Sequence, residues 1–157
     1  QVIADAENLR KEFGDRLAVP VDVAVSDGGL RYGLPVSELP TKYPVHDIGI
    51  ETLVAYLARL EKAGTIIANG PMGVFENSEF AAGTREIFTA MANSNALTVV
   101  GGGETTMAFT QMGLADRINH VSTGGGACIA FMSGRLMPVL EALRHSKKRF
   151  EKGGYGK

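Results

Sequence analysis

Two runs of three glycines stand where the chain could bind phosphate. They are Gly101–Gly103, in TVVGGGETT, and Gly124–Gly126, in VSTGGGACIAF. Residues typical of a strand precede each run, and residues that suit a helix follow it. The first N–H groups of a helix lack intrahelical partners and carry partial positive charge, so they attract anions. Because glycine has no Cβ, a phosphate could approach those amides closely.

Two such turns after neighbouring parallel strands could hold a polyphosphate between them. The alternative is that the glycines serve only tight turns and close packing of helices against strands. The P-loop pattern is absent, because the only Gly-Lys pair is Gly156–Lys157. The dinucleotide pattern G-x-G-x-x-G fails because Thr106 stands where its third glycine belongs.

Glu104 directly follows the first glycine run. A carboxylate beside a phosphate site is favourable only with a cation between them, and Mg²⁺ commonly binds one or two carboxylates together with substrate phosphates. The alternative for Glu104 is a first-turn acidic residue that interacts with the helix dipole. Thr105 and Thr106 could bind phosphate or simply begin the helix.

The segment NGPMGVFENSEF, residues 69–80, is the third candidate. Gly70-Pro71 and Gly73 predict a stiff, exposed turn. Glu76 could accept hydrogen bonds from two ribose hydroxyls. In the alternative, Phe75 fills the core and Glu76 is solvated.

Alternating strands and helices must position these segments. Residues 28–44 show little periodicity and are expected to form an excursion loop. Asp47 is expected to cap the second helix, which Gly64 ends. The predicted strands are near 21–27 and at 65–69, 96–102 and 119–123. The other predicted helices are at 2–13, 81–93, 103–112, 125–133 and 136–146.

This alternation predicts an α/β fold, a parallel sheet with helices on both faces in a Rossmann-like three-layer sandwich. Ligands bind such sheets at the carboxyl ends of the strands. The loops at 26–30, 69–80, 101–105 and 122–127 are therefore expected at one edge. Asp27, which ends the first strand, is a modest site candidate.

Composition excludes several classes of partner. The 157 residues are 45% hydrophobic with a formal net charge of −1, so a general nucleic-acid binder is disfavoured. No apolar run suits a membrane span or a secretory signal. The single cysteine, Cys128, fits a reducing cytosol, and we expect a cytoplasmic location. The chain begins at Gln1 within a predicted helix, which indicates truncation or processing.

Five stretches together resemble the C-terminal part of the nucleotide-binding domain of phosphoglycerate kinase. The match runs from about residue 2 to residue 144, and NGPMGVFE and STGGGA are its most specific motifs. The stretches are LAVPVDVAVSD, HDIGIET, IIANGPMGVFENSEFAAGT, TVVGGGETT and INHVSTGGGACIAFMSGRLMPVLEAL. The resemblance implies magnesium-dependent, reversible phosphoryl transfer between 1,3-bisphosphoglycerate and ADP, a step of glycolysis. ATP or ADP and Mg²⁺ are the implied cofactors.

The resemblance also implies roles for individual residues. The residues around the nucleotide, with Glu76 at the ribose, are Asn69, Pro71, Gly73, Val74 and Glu76. Those at its phosphates are Gly102, Gly103 and Thr105. The metal residue is Glu104, where the family usually has Asp, so the carboxylate is displaced by one methylene. The second run, Gly124, Gly125 and Gly126, directs a helix N-terminus at the transferred phosphoryl group. The catalytic glycines are thus Gly103, Gly125 and Gly126.

Two parts of the family pattern have no counterpart in this sequence. One is a first domain whose basic pocket binds 3-phosphoglycerate, and the other is a Gly-Gly-Ala-Lys-type segment whose lysine neutralises the transferred phosphate. We therefore expect residues 1–157 to be the C-terminal portion of the nucleotide-binding domain, able to bind nucleotide weakly but not to catalyse transfer alone. The alternatives are a catalytically inactive nucleotide-binding or interaction module with the same fold, and an unrelated α/β enzyme with convergent glycine turns.

Overall fold

The computed structural model describes residues 2–152, which form an α/β fold as predicted. The helices are Val2–Phe13 (α1), Ile50–Leu60 (α2), Ala82–Asn93 (α3), Gly103–Gln111 (α4), Gly126–Met132 (α5) and Pro138–Lys152 (α6). The strands are Asp22–Asp27 (β1), Leu30–Pro35 (β2), Val45–Ile48 (β3), Thr65–Ala68 (β4), Leu97–Gly101 (β5) and His120–Ser122 (β6). None of the helices described is long and apolar enough to cross a membrane.

Three parallel strands form the sheet that carries the glycine turns. Their order is β4-β5-β6, with β5 in the centre. Ala68 is paired with Val100, and Gly101 with Ser122. Because all three strands run in the same direction, their carboxyl ends reach the same edge of the sheet. The segments that follow them therefore start at that edge.

Helices lie on both faces of this parallel sheet. Successive strand residues point to opposite faces. Val100 is fully buried in a core that includes Phe88 of α3 and Phe109 of α4, whose rings stack with centroids 4.1 Å apart. On the other face, a Cβ added at Gly101 would lie 3.6 Å from Sγ of Cys128, which belongs to α5. The three-layer prediction is therefore confirmed for this sheet.

The first half of the chain differs from the prediction. β1 pairs antiparallel with both β2 and β3 in a second sheet, ordered β2-β1-β3. The excursion loop predicted for 28–44 was wrong, since β2 follows the turn at Gly28–Gly29 as a hairpin strand. The turn at 26–30 thus belongs to the antiparallel sheet, and the expectation that it and Asp27 share the edge with the glycine turns was also wrong. Leu30, Tyr32 and Leu34 alternate along β2, but Gly33 and Pro35, which are depleted in strands, hid the strand.

The predicted cap of α2 was assigned to the wrong aspartate. Asp47 lies within β3, and the carboxylate at the start of α2 is that of Asp22 from β1. Its oxygens accept the N–H groups of Glu51 at 3.1 Å and Thr52 at 2.8 Å, and the Thr52 hydroxyl at 2.6 Å. Burial raises the pKa of the Asp22 carboxyl, but these hydrogen bonds outweigh burial and hold the pKa below its usual value.

Replacing Asp22 with Ala should destabilise the fold by about 1–2 kcal/mol at neutral pH, the usual cost of losing a helix cap. A carboxyl whose pKa is lowered by folding stabilises the native state above its unfolded pKa. The difference between the parent and Asp22→Ala should therefore persist above about pH 4 and shrink as pH falls through the native-state pKa. Urea unfolding at several pH values measures this. Asp27→Ala, an exposed position on the same strand, is the control, and an equal loss there would contradict the assignment.

Candidate functional site

The edge at the carboxyl ends of β4, β5 and β6 brings together three of the four predicted loops. These are 69–80 after β4, 101–105 after β5, and 122–127 after β6. The two glycine runs follow adjacent strands, because β5 pairs directly with β6. This arrangement is the one that the sequence predicted for a phosphate site.

The first glycine turn is tied to the start of the 69–80 loop. The Asn69 side-chain amide donates to the carbonyl of Gly101 at 2.9 Å, and the Gly70 N–H donates to the hydroxyl of Thr105 at 2.6 Å. Thr105 is buried, with 1% of its surface exposed. Asn69 and Thr105, both predicted to contact the nucleotide, therefore connect the two loops to each other.

The backbone ladder of α4 begins with Thr106, whose N–H donates to the Gly102 carbonyl at 3.0 Å. The N–H groups of Gly103, Glu104 and Thr105 precede that bond and have no partner within the helix. They form the amide cluster that the sequence predicts as an anion site. The Thr106 hydroxyl is buried without a hydrogen-bond partner, so the structure gives it no role at the helix start.

The second glycine turn is tighter. Ala127 N–H donates to the Gly124 carbonyl at 2.9 Å, and Cys128 N–H donates to the Gly125 carbonyl at 3.1 Å. The N–H groups of Gly125 and Gly126 come before these bonds. Since α5 has only 7 residues, its dipole is small, and the local peptide groups are the relevant donors.

The fold requires some of these glycines and not others. Gly102 has φ +96°, and a Cβ there would lie 3.1 Å from the amide nitrogen of Asn69. Gly125 also has a positive φ, of 51°. By contrast, Gly103 and Gly126 have ordinary φ values, and an added Cβ would meet nothing within 4 Å. At these two positions the lack of a side chain has no explanation in turn geometry or packing.

A side chain of α3 holds the 69–80 loop by hydrogen bonds, while residues in the middle of the loop are exposed. The Thr84 hydroxyl accepts the N–H groups of Met72 at 3.0 Å and Gly73 at 3.3 Å. A Cβ at Gly73 would lie 2.5 Å from Oδ1 of Asp47, so close packing on β3 accounts for this glycine. Thr84 was not identified from the sequence, although a fully buried threonine among the apolar residues of α3 needs a hydrogen-bond partner such as the backbone.

The apolar and acidic residues of this loop have different environments. Phe75 packs against the hydrophobic core, as the structural alternative predicted. Val74 is 41% exposed, and Glu76 is exposed as well. Pro71 is half-buried between Gly70 and Met72, whose N–H donates to Thr84. Val74 and Glu76 are therefore free to contact a ligand at the edge.

Glu104 is the candidate metal residue, and its carboxylate is exposed in the first turn of α4. Over residues 2–152 no group of three or more His, Cys, Asp or Glu side chains could hold a metal ion. A single carboxylate fits Mg²⁺ only where phosphates and water supply the other ligands. Glu104 meets that requirement because it adjoins the free amides at Gly103, where phosphates could bind. Its position in the first turn of α4 is equally compatible with the alternative of an interaction with the helix dipole.

Comparison with known proteins agrees with these motifs. The family model of phosphoglycerate kinase matches residues 1–135. The phosphoglycerate kinase of Methanothermus fervidus is 43% identical over 94% of this chain and 36% of its own length. That of Thermoplasma volcanium is 46% identical over 96% of this chain and 37% of its own length. The chain thus spans about a third of the length of these relatives.

Two solved structures have the same fold. The phosphoglycerate kinase of Pyrococcus horikoshii superposes with a TM-score of 0.84 at 42% identity, covering 94% of this chain and 37% of the other. That of Coxiella burnetii gives a TM-score of 0.78 at 34% identity, covering 85% of this chain and 36% of the other.

The two kinds of glycine predict different responses to a side chain. Gly102→Ala should destabilise the chain by about 1–3 kcal/mol, because alanine is strained at this φ. Gly103→Ala, one residue on, should leave stability unchanged within about 0.5 kcal/mol or raise it slightly. Urea unfolding of both variants tests this, and equal destabilisation would show that Gly103 is also required by the fold.

Proposed function

This chain belongs to the phosphoglycerate kinase family, and on that basis we propose that residues 1–157 are the C-terminal portion of a nucleotide-binding domain that binds ADP or ATP. The nucleotide lies along the edge formed by the ends of β4, β5 and β6. Its phosphates lie against the two glycine turns. The observation that supports this most directly is the pair Gly103 and Gly126, which lack a side chain where the fold does not require it.

The proposed contacts divide the edge into an adenosine part and a phosphate part. Asn69, Pro71, Gly73, Val74 and Glu76 lie along the adenosine, and the exposed carboxylate of Glu76 accepts from the ribose hydroxyls. The amides at Gly103, Gly125 and Gly126 donate to phosphate oxygens. Gly124 keeps the second turn compact, since its carbonyl accepts the N–H of Ala127.

Gly102 and Thr105 act by holding the first turn in place through their packing on Asn69 and Gly70. Glu104 would hold Mg²⁺, which supplies positive charge to the phosphate oxygens when bound. Preorganised amides stabilise charge as it develops on the transferred group. We assign this part of catalysis to Gly103, Gly125 and Gly126.

We propose that the complete reaction, phosphoryl transfer between 1,3-bisphosphoglycerate and ADP, requires groups beyond this edge. Residues 69–76, 101–106 and 122–128 contain no lysine or arginine. Phosphoryl transfer normally uses a cationic side chain in addition to the metal. Residues 1–157 alone therefore act as a nucleotide-binding module, and 3-phosphoglycerate binds through the domain that the resemblance implies. A cytoplasmic location, consistent with the free thiol of Cys128, belongs to the same proposal.

Gly103→Val and Gly126→Val should weaken binding of MgADP by about tenfold or more, because each side chain blocks phosphate oxygens from charge-assisted hydrogen bonds. Isothermal titration calorimetry measures the affinity. Gly33→Val is the matched control, since its Cβ also meets nothing within 4 Å and it lies in the other sheet. Unchanged affinity in both test variants, with the chain folded, would refute the phosphate assignment.

Removing the carboxylate at Glu104 should abolish the effect of magnesium on ADP affinity. In the parent chain, ADP should bind more tightly with Mg²⁺ than with EDTA. In Glu104→Gln the two affinities should become equal within about twofold, because the ion would then bind the nucleotide phosphates without a bond to the protein. Glu86→Gln, exposed on α3, is the control. A magnesium effect that survives in Glu104→Gln would favour the dipole role instead.

A further inference from the structure

Arg31 and Asp47 form an ion pair that the proposed site does not include. Nη1 of Arg31 lies 2.8 Å from Oδ2 of Asp47, whose side chain is completely buried. The same guanidinium donates to the carbonyl of Ile48 at 2.9 Å and to that of Glu79 at 3.3 Å. It also lies over the ring of Phe80, 6.0 Å from the centroid. One side chain of β2 thus connects β3 to the end of the 69–80 loop.

Asp47 and its strand hold both ends of the segment from Gly73 to Gly83. Oδ2 of Asp47 accepts the Gly83 N–H at 2.9 Å, in the first turn of α3. At the other end, Gly73 packs directly on Oδ1, and the carbonyl of His46 accepts the Val74 N–H at 2.8 Å. The position of this segment therefore depends on one buried carboxylate and on the cation that neutralises it.

Val74 lies at the first of these anchors and Glu76 between the two, and both have exposed side chains. We propose that Arg31 and Asp47 are positioning residues that fix the segment from Gly73 to Gly83, which includes the exposed part of the 69–80 loop, at the edge of the parallel sheet. The nucleotide role of the loop rests on the proposed function, whereas its dependence on the ion pair does not. Losing the guanidinium would leave the Asp47 carboxylate buried without its cation, and the segment bonded to it would shift.

The effect should be local, because Arg31 belongs to the antiparallel sheet and not to the sheet that carries the glycine turns. In a merely structural role, its loss would loosen the parallel sheet as much as the loop. Hydrogen exchange resolved by peptide separates these two cases.

The experiment compares Arg31→Met and Arg31→Lys with the parent chain by hydrogen-exchange mass spectrometry and by MgADP titration. In Arg31→Met, peptides over 73–83 should exchange about tenfold faster, while peptides of β5 and α4 stay within about twofold. Arg31→Lys should show a smaller effect, since an ammonium keeps the charge but not the planar fork of donors. MgADP affinity should fall most in Arg31→Met and less in Arg31→Lys. Arg144→Met, which removes an exposed pair with Glu141 on α6, is the control and should change neither readout.

Equal acceleration across the loop and β5, or none at 73–83, would overturn the proposal. If Arg31→Met does not fold, the same comparison on Arg31→Lys decides. If the parent chain binds no MgADP, the proposed function fails, whereas the exchange pattern still tests the ion pair.

Discussion

The parallel pairing of β5 with both of its neighbours is the constraint on which the rest of the structure depends. It places the ends of three strands at one edge, with Gly101 opposite Ser122 and Ala68 opposite Val100. Segments more than 50 residues apart in sequence, from Asn69 to Gly126, thereby start side by side. An antiparallel β6 would send the second glycine turn to the opposite edge, and no phosphate could contact both turns.

Hydrogen bonds hold the segments at that edge in place, and the N–H groups of a few glycines there have no partner within their helices. Asn69 and Thr105 form hydrogen bonds between the first glycine turn and the 69–80 loop. Thr84 accepts a hydrogen bond from the same loop, and Asp47 accepts one from Gly83 at the start of α3. Such bracing fixes the free donors before any ligand arrives, and preorganised donors need little rearrangement to stabilise an anion.

The parallel sheet and its edge were predictable because they depend on local signals. TIIA and TVV are short apolar runs typical of strands, although only Ile66 of TIIA is buried. Glycine runs mark the turns after the strands. The antiparallel hairpin was not predictable in the same way, since Gly33 and Pro35 interrupt β2 and its pairing with β1 is a tertiary contact. Asp47 was misread because an aspartate near a helix start resembles a cap. Its actual partners, Arg31 and Gly83, are 16 and 36 residues away. Long-range partners of a buried carboxylate leave no periodic pattern in the sequence.

The central claim is that both glycine turns bind one polyphosphate at the same time, and amide chemical shifts during a MgADP titration test it most directly. Two-dimensional ¹H–¹⁵N spectra of the labelled chain report on each turn separately. If one nucleotide binds both turns, the amides of Gly103 and Gly126 shift together and saturate at the same ADP concentration. If only one of the two glycine amides responds, or if they titrate with different affinities, a single nucleotide does not join the two turns.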